Sequence, residues 1–459
     1  MLMKVQMKPC FLFNVSKEQS VVVNYREKYN QIDMLLQNNP GILNAFHDDI
    51  KDYGSDDGRE SHYSSEQILR MIIIQILEAH DYRSLVIRVS ESDFLRNFAR
   101  IGMGKVMSFG LINGAAKRIG ATTWKKINRS LFNYAKEAKA VTGEAVRVDS
   151  TVTESNIHYP TDSFLLWDCY RTLCRLLHKV ASEDRLLECG IRVHLKKIKQ
   201  LHTFISTNCG RQSKSSKRAV KKAMKTLIER TEALANKVAA FVISAEKSGR
   251  QNIVTGALCD EIRRLLPLVK KVTDQSIRSS INGETVPAKE RIFSIFEEHT
   301  ELLKRGKAQK PCEFGHLVTL AQTAEKFITY YSIEERSRHD TVHKDLVLKD
   351  HKERFGKYPD IFAADKNYYT DMEDVAYWEE RVDTFAVGKK GKRDALETER
   401  EHSESFRSAQ RFRAGCEGSI SVLKRAFGLK RCLSRGFKSF ASSIGCLVFC
   451  HNLVNLATG

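Results

Sequence analysis

From about residue 60 to 140 the apolar positions fall in short helical runs separated by breaks. "SSEQILRMIIIQILEAH" opens with Ser64 and carries Gln67 three residues on, a capping-box pattern ahead of an apolar run. "DYRSLVIRVS", "ESDFLRNFAR" and "MSFGLINGAAKRIG" follow, then the basic, amphipathic "TTWKKINRSLFNYAKEAKA". The pattern predicts a bundle of short helices. A helix-turn-helix and a plain packing domain fit it equally. Beyond Gly143 the period changes: "EAVRVDSTV" predicts a strand with Val146 and Val148 on one face, Arg147 and Asp149 on the other. After "NIHYPTDS" helical periodicity resumes for roughly 140 residues, with Asp162 expected as the first N-cap.

Near residue 314 strand patterns return. "FGHLVTLAQ" and "KFITYYSI" predict a hairpin, "DTVHKDLVLKDHKERFG" a helix, and "PDIFAADKN" a strand entered behind Pro359. "YTDMEDVAYWEERV" predicts a helix, "DTFAVGKK" a strand, and the run from about 401 to 427 one long helix. Setting the long helical stretch aside, the order is β, β-β, α, β, α, β, α. That order gives a mixed α/β architecture with the helical stretch inserted between the first strand and the hairpin. "FASSIGCLVFCHNLVNLATG" is strongly apolar but holds His451, Asn452 and Asn455, which favours a buried terminal helix over a membrane span.

Composition narrows the classes. With 459 residues and 42% hydrophobic content, the chain can fill two or three cores, and disorder is excluded. A net charge of +19 favours a polyanionic partner, either nucleic acid or an anionic membrane surface. "MLMKVQMKPCFLFNV" lacks the ordered regions of a secretory signal. Eleven cysteines without a C-x-x-C pair point to reduced thiols and a cytoplasmic location. Cys446, Cys450 and His451 cluster, but without a second ligand pair they do not make a zinc site.

The chemistry lies in three acids. Asp149 stands on the first strand, Asp365 at the end of "DIFAADKN", and Glu417 on the last helix. Asp360 competes with Asp365, but five residues along a strand put it about 16 Å away, toward the opposite edge of the sheet. Residues 411–431 contain six Arg or Lys and one acid, Glu417. Arg413, Glu417 and Lys424 fall at i, i+4 and i+11 on one helical stripe, with Gln410 a little earlier on the same side. An ordinary ion pair accounts for Arg413 and Glu417 alone. Phosphodiester chemistry with two divalent ions needs hard oxygen ligands, with cations beside them to hold phosphates. Ser150 and Thr151 are candidates to support Asp149. His158 reads as a turn residue, Glu154 as out of ligand reach, and Trp167 and Trp378 as core. Residues 211–230 carry eight Lys or Arg against one Glu, a solvated face or a phosphate-contacting surface in equal measure.

Four stretches carry a family resemblance: "VRVDSTVTESNIHYPTDSFLLWD", "EFGHLVTLA", "FAADKNYY" and "RFRAGCEGSISVLKRAFGLKRC". Together with "SSEQILRMIIIQILEAHDYRSL" they resemble bacterial insertion-sequence transposases of the DDE type. The resemblance implies an α/β fold, an RNase H-like mixed sheet, with an all-α N-terminal domain and a large helical insertion. It implies residues 1–59 as a segment without an assigned role and 60–140 as a helical DNA-binding domain. Residues 141–162 would be the first catalytic strand and turn, 163–310 the insertion, and 311–459 the rest of the catalytic domain with the C-terminal helix. It implies Asp149, Asp365 and Glu417 as catalytic residues and as ligands of two Mg²⁺ or Mn²⁺ ions. Arg413 and Lys424 would touch DNA, with Lys366, Arg425 and Lys430 adding phosphate contacts. The implied partner is double-stranded DNA, at transposon ends and target, bound by a homodimer or larger assembly, with no membrane and a place at the nucleoid when DNA-bound. Two departures stand out. Gln410 replaces a tyrosine common in relatives, so a stacking role is lost there. Lys366-Asn367 replaces Arg-Gly, keeping the charge and a residue tolerant of positive φ. Relatives often place their insertion between the last strand and last helix, whereas here it comes earlier. A non-catalytic DNA-binding protein and an RNase H-like nuclease without strand transfer are the alternatives.

Overall fold

Gly143 begins the part of the fold that positions the acids. Its φ of +74° is open to glycine, and a Cβ there would meet the Phe355 ring at 2.5 Å. The chain then enters β1 (Ala145–Ser155), the strand the Val-rich pattern predicts. The computed structural model describes residues 19–52, 62–183, 190–247, 252–304 and 311–459. These form two units, one from the residues up to 154 and from 316 onward, the other from 155–315.

In the first unit seven helices precede β1 among the described residues: α1 (Ser20–Gln37), α2 (Pro40–Ile50), α3 (Ser65–Leu77), α4 (Tyr82–Glu91), α5 (Asp93–Phe98), α6 (Phe109–Arg118) and α7 (Ala121–Glu137). The Ser64/Gln67 capping box is formed, with Gln67 N donating to Ser64 Oγ at 3.2 Å and Ser64 N to Gln67 Oε1 at 2.9 Å. The region before residue 60, for which the sequence offered no motif, supplies α1 and α2 among its described residues.

The other unit is helical, with α8 (Asp162–Glu183), α9 (Leu195–Asn208), α10 (Lys214–Lys247) and α11 (Ile253–Ser276). These close a core of their own through Leu173, Leu227, Val238 and Ile262. A short β2 (Glu301–Leu303) pairs antiparallel with the first residues of β3 (Glu313–Thr323). Asp162 does not cap α8. Thr161 Oγ1 accepts from Phe164 N at 3.3 Å, and the Asp162 carboxylate, already inside the helix, accepts instead from Ser279, Ser280 and Arg291.

Back in the first unit, β3 and β4 (Ile328–Ile333) form the predicted hairpin, with Leu320 opposite Tyr331. Next come α12 (Asp340–Phe355), β5 (Ile361–Ala364), α13 (Met372–Glu379), β6 (Thr384–Val387), α14 (Ala395–His402), α15 (Glu404–Ala426), β7 (Arg431–Cys432) and α16 (Phe437–Thr458). The predicted long helix is two helices. Ser403 takes an extended conformation and its hydroxyl accepts from Phe406 N at 3.3 Å, stopping α14 and capping α15. The sheet order is β2-β3-β1-β5-β6, with β4 on β3 and β7 on β1, and β1, β5 and β6 run parallel. The fold class is therefore mixed α/β, as the pattern predicts.

Alternation along the strands sends each side chain to its layer. Val146, Val148, Phe362, Ala364, Phe385 and Val387 pack with α12 and α13 through Val347, Leu348, Val375 and Trp378. Ala363 and Ala386 face the other way, onto Phe406, Ala409 and Phe412 of α15. α16 is the one described helix long and apolar enough to cross a membrane, and 72% of its apolar window is buried in the protein. It packs on α7, α1 and α3. Trp124 Nε1 donates to Ser442 Oγ at 3.1 Å, and Asn128 Nδ2 to Gly445 O at 3.1 Å. Among the described residues α1–α7 share one core with α16 rather than closing a separate one.

Candidate active site

Parallel pairing brings the first two acids side by side. Val148 is opposite Ala364, so Asp149, in the middle of β1, and Asp365, the first residue past β5, follow on neighbouring segments about 4.8 Å apart. Ser150 N donates to Asp149 Oδ1 at 2.7 Å, and Lys366 N to Asp365 Oδ1 at 2.8 Å. Asp360 lies at the other end of β5, where Lys357 Nζ holds its carboxylate at 2.8 Å.

α15 is laid on β1, β5 and β6 by three devices. Gln410 Nε2 donates to Ala364 O at 3.2 Å and Ala386 O at 2.6 Å, closing the ends of β5 and β6. Arg147, buried beside Asp149, donates through one guanidinium nitrogen to Phe412 O at 3.0 Å and through two others to Gln322 Oε1 at 3.0 and 2.6 Å. Gly415 makes room for that guanidinium, since a Cβ there would lie 2.2 Å from it. The position Gln410 holds is thus a structural clasp.

The helix then presents Arg413. Its guanidinium donates to Asp149 Oδ2 at 3.0 Å and to Glu417 Oε1 at 3.1 Å. The two bonds differ in environment: the side chains of Asp149 and Arg413 are 10% and 16% exposed, that of Glu417 69%. A desolvated carboxylate needs its cation, whereas the exposed i, i+4 bond adds only a few tenths of a kcal/mol. Glu417 is therefore linked to Asp149 through Arg413, and the i, i+4 ion pair that the spacing allows is formed.

Around the acids, Cys416 is buried, and burial followed by the charge of Asp149 pushes its thiol up to about 12, so it stays protonated. Burial, then the charges of Asp340 and Asp149, raise the Tyr368 phenol well above its ordinary value. Ser150 and Thr151 are buried beside Asp149. Lys366, Arg425 and Lys430 are exposed and Lys424 is half-buried. Asn367 sits in a 3₁₀ turn, Lys366–Tyr368, and not in the left-handed region its tolerance of positive φ suggested. Instead its amide donates to Asp365 Oδ2 at 3.4 Å, and Lys390 Nζ reaches its Oδ1 at 3.5 Å. Glu154 is engaged by Arg431 at 3.1 Å. Sequence reasoning missed Gln322, Gln410's carbonyl contacts and Lys390. Only Arg147, sharing a strand face with Asp149, signalled a polar partner there.

Three carboxylates of this kind suit hard divalent cations. Among the described residues no three of His, Cys, Asp and Glu stand close enough together to share an ion. The positive charge between Asp149 and Glu417 is that of Arg413.

Residues 384–457 match a family model described as a transposase DDE domain. The matched segment holds Arg413, Glu417 and Lys424 and begins after Asp149 and Asp365. No curated protein matches the chain, and no solved structure does.

Proposed function

We infer from this match that the chain is a DDE transposase of the insertion-sequence type, and we propose that Asp149, Asp365 and Glu417 are its catalytic acids on an RNase H-like sheet. The substrate is double-stranded DNA: the protein binds terminal inverted repeats, hydrolyses the bond at each transposon 3′ end, and joins the freed 3′-hydroxyl to target DNA. It works on paired ends as a homodimer or larger assembly. The observation that carries the reading is the register that sets Asp149 of β1 beside Asp365 at the end of the parallel strand β5, with α15 bearing Arg413, Glu417 and Lys424.

As they stand the three acids do not share an ion, since Arg413 lies between Asp149 and Glu417. With Arg413 turned to a phosphate they would hold two Mg²⁺ or Mn²⁺ ions, which would supply activation of the attacking oxygen and stabilisation of the leaving one. The chain's own residues do the rest. The carboxylates are fixed before substrate arrives, Asp149 by Ser150 N and Arg413, Asp365 by Lys366 N. The Arg413 fork that grips two carboxylates suits a phosphate equally well. Lys366, Lys424, Arg425 and Lys430 add cations along the same edge and offset the repulsion between acids and DNA.

With Mg²⁺ and DNA carrying the element's ends, the wild-type protein is expected to cleave at the 3′ ends. Asp149→Asn is expected to lose cleavage and keep DNA binding, and full cleavage by this variant would sink the assignment. A nuclease without strand transfer would use the same acids. Pre-cut ends joined to target DNA by the wild-type protein separate the two. A protein that merely occupied its sites would have no need of all three acids, and all three are present.

A further inference from the structure

The acid-free stretch with the most cations lies in the 155–315 unit. From Gly190 to Ile228 there are eleven Lys or Arg and not one Asp or Glu. On α10 six of these cations, Lys214, Lys217, Arg218, Lys221, Lys222 and Lys225, follow the i, i+3, i+4 spacing of a single helical stripe. All six are exposed. The opposite face, with Ala223, Met224, Leu227 and Ile228, is buried in the helical core. Among the described residues only Lys225 reaches an acid, Glu229 at 4.0 Å.

A solvated helix face ordinarily interleaves acids with its cations, because like charges at i, i+4 destabilise a helix by a few tenths of a kcal/mol each. This stripe forgoes that pairing for three turns. We propose that it is a docking surface for the sugar-phosphate backbone of double-stranded DNA. From Lys214 to Lys225 the helix rises about 16 Å, a length that meets about five phosphates of one strand. Its charge density, roughly one cation per 3 Å, is of the order of the duplex's own. An anionic membrane would need an apolar face to enter the interface. The apolar face of α10 is already committed to the unit's core. The surface recognises charge and spacing, so it binds without regard to base sequence. The inference rests on the transposase reading only for its choice of polyanion.

The test is the salt dependence of binding by the full chain to a duplex of arbitrary sequence, without divalent metal, read by fluorescence anisotropy. Changing all six cations to Gln should lower the slope of log K against log [salt] by up to about 5, at about 0.9 for each phosphate the protein no longer neutralises. Lys and Gln have similar helix propensities and the like-charge pairs are removed, so melting should stay at or slightly above the wild-type temperature. The pair Lys217→Gln and Lys221→Gln, a smaller perturbation, should lower the slope by about 2. The assay needs neither metal nor cleavage, so failure of the cleavage assignment leaves this result standing. An unchanged slope in both α10 variants overturns the proposal. So does retention on phosphatidylserine vesicles that these variants lose while their DNA affinity stays at the wild-type value.

Discussion

Arg413 is the residue on which the site turns. Its i, i+4 relation to Glu417 was legible in the sequence, because helical spacing alone sets it. Its bond to Asp149 was not, since that pair is 264 positions apart and depends on how α15 lies on the sheet. The same holds for Arg147, whose strand face was readable and whose partners, Gln322 and Phe412 O, were not. Gly415 follows from Arg147: helix interiors disfavour glycine by up to about 1 kcal/mol, and here the guanidinium occupies the space of a Cβ. Gly415→Ala is expected to displace Arg147 and, despite the better helix former, to destabilise the protein by about 1–3 kcal/mol in chemical denaturation. Stability equal to or above wild type would show that Arg147 yields at no cost.

At the level of elements, the β, β-β, α, β, α, β, α order was readable because each strand is short, bounded by turn residues and distinct in period from its neighbours. Within the last helical run the break at Ser403 was missed, although Ser is a preferred cap, because helical periodicity continues on both sides of it. The seating of α15 depends on side-chain bonds that periodicity cannot show. Gln410 joins it to two strand-end carbonyls at once, and Ala409 and Phe406 pack on Ala363 and Ala386 beside them. Gln410→Ala leaves two carbonyls without their donor and is expected to cost about 1–3 kcal/mol of stability. It should also reduce DNA cleavage more than it reduces DNA binding, because Arg413 and Glu417 ride on the same helix. Equal loss of both would place Gln410 against DNA rather than in the seating of the helix.

Across the whole molecule, the sequence marked a long helical stretch by its period, and residues 155–315 form a unit with a core of its own. It did not reveal that α1, α3 and α7 find their partner in α16. Trp124 and Ser442 meet across 318 positions, and nothing local marks them as a pair. α16 is apolar around most of its circumference, so it needs partners on several sides, and the early helices provide them. A chain ended at Gly436 removes that partner. Limited proteolysis of this truncation is expected to degrade the segments on either side of 155–315 and spare a helical fragment from within it. Protection of residues 62–140 in the truncated protein would show that the early helices hold together alone.

The meeting of α1 and α7 with α16 also imposes an order in time. Synthesis delivers α1–α7 first, with their apolar faces uncovered, then β1 with Asp149, then the helical unit, whose core is complete within itself. Glu417, Arg413 and finally α16 arrive far downstream. A chain whose early helices wait for α16 folds its middle before its beginning, and holds Asp149 without Arg413 until α15 has emerged. The competent site forms only after α15 has been synthesised, and the early helices need shelter from aggregation until α16 follows.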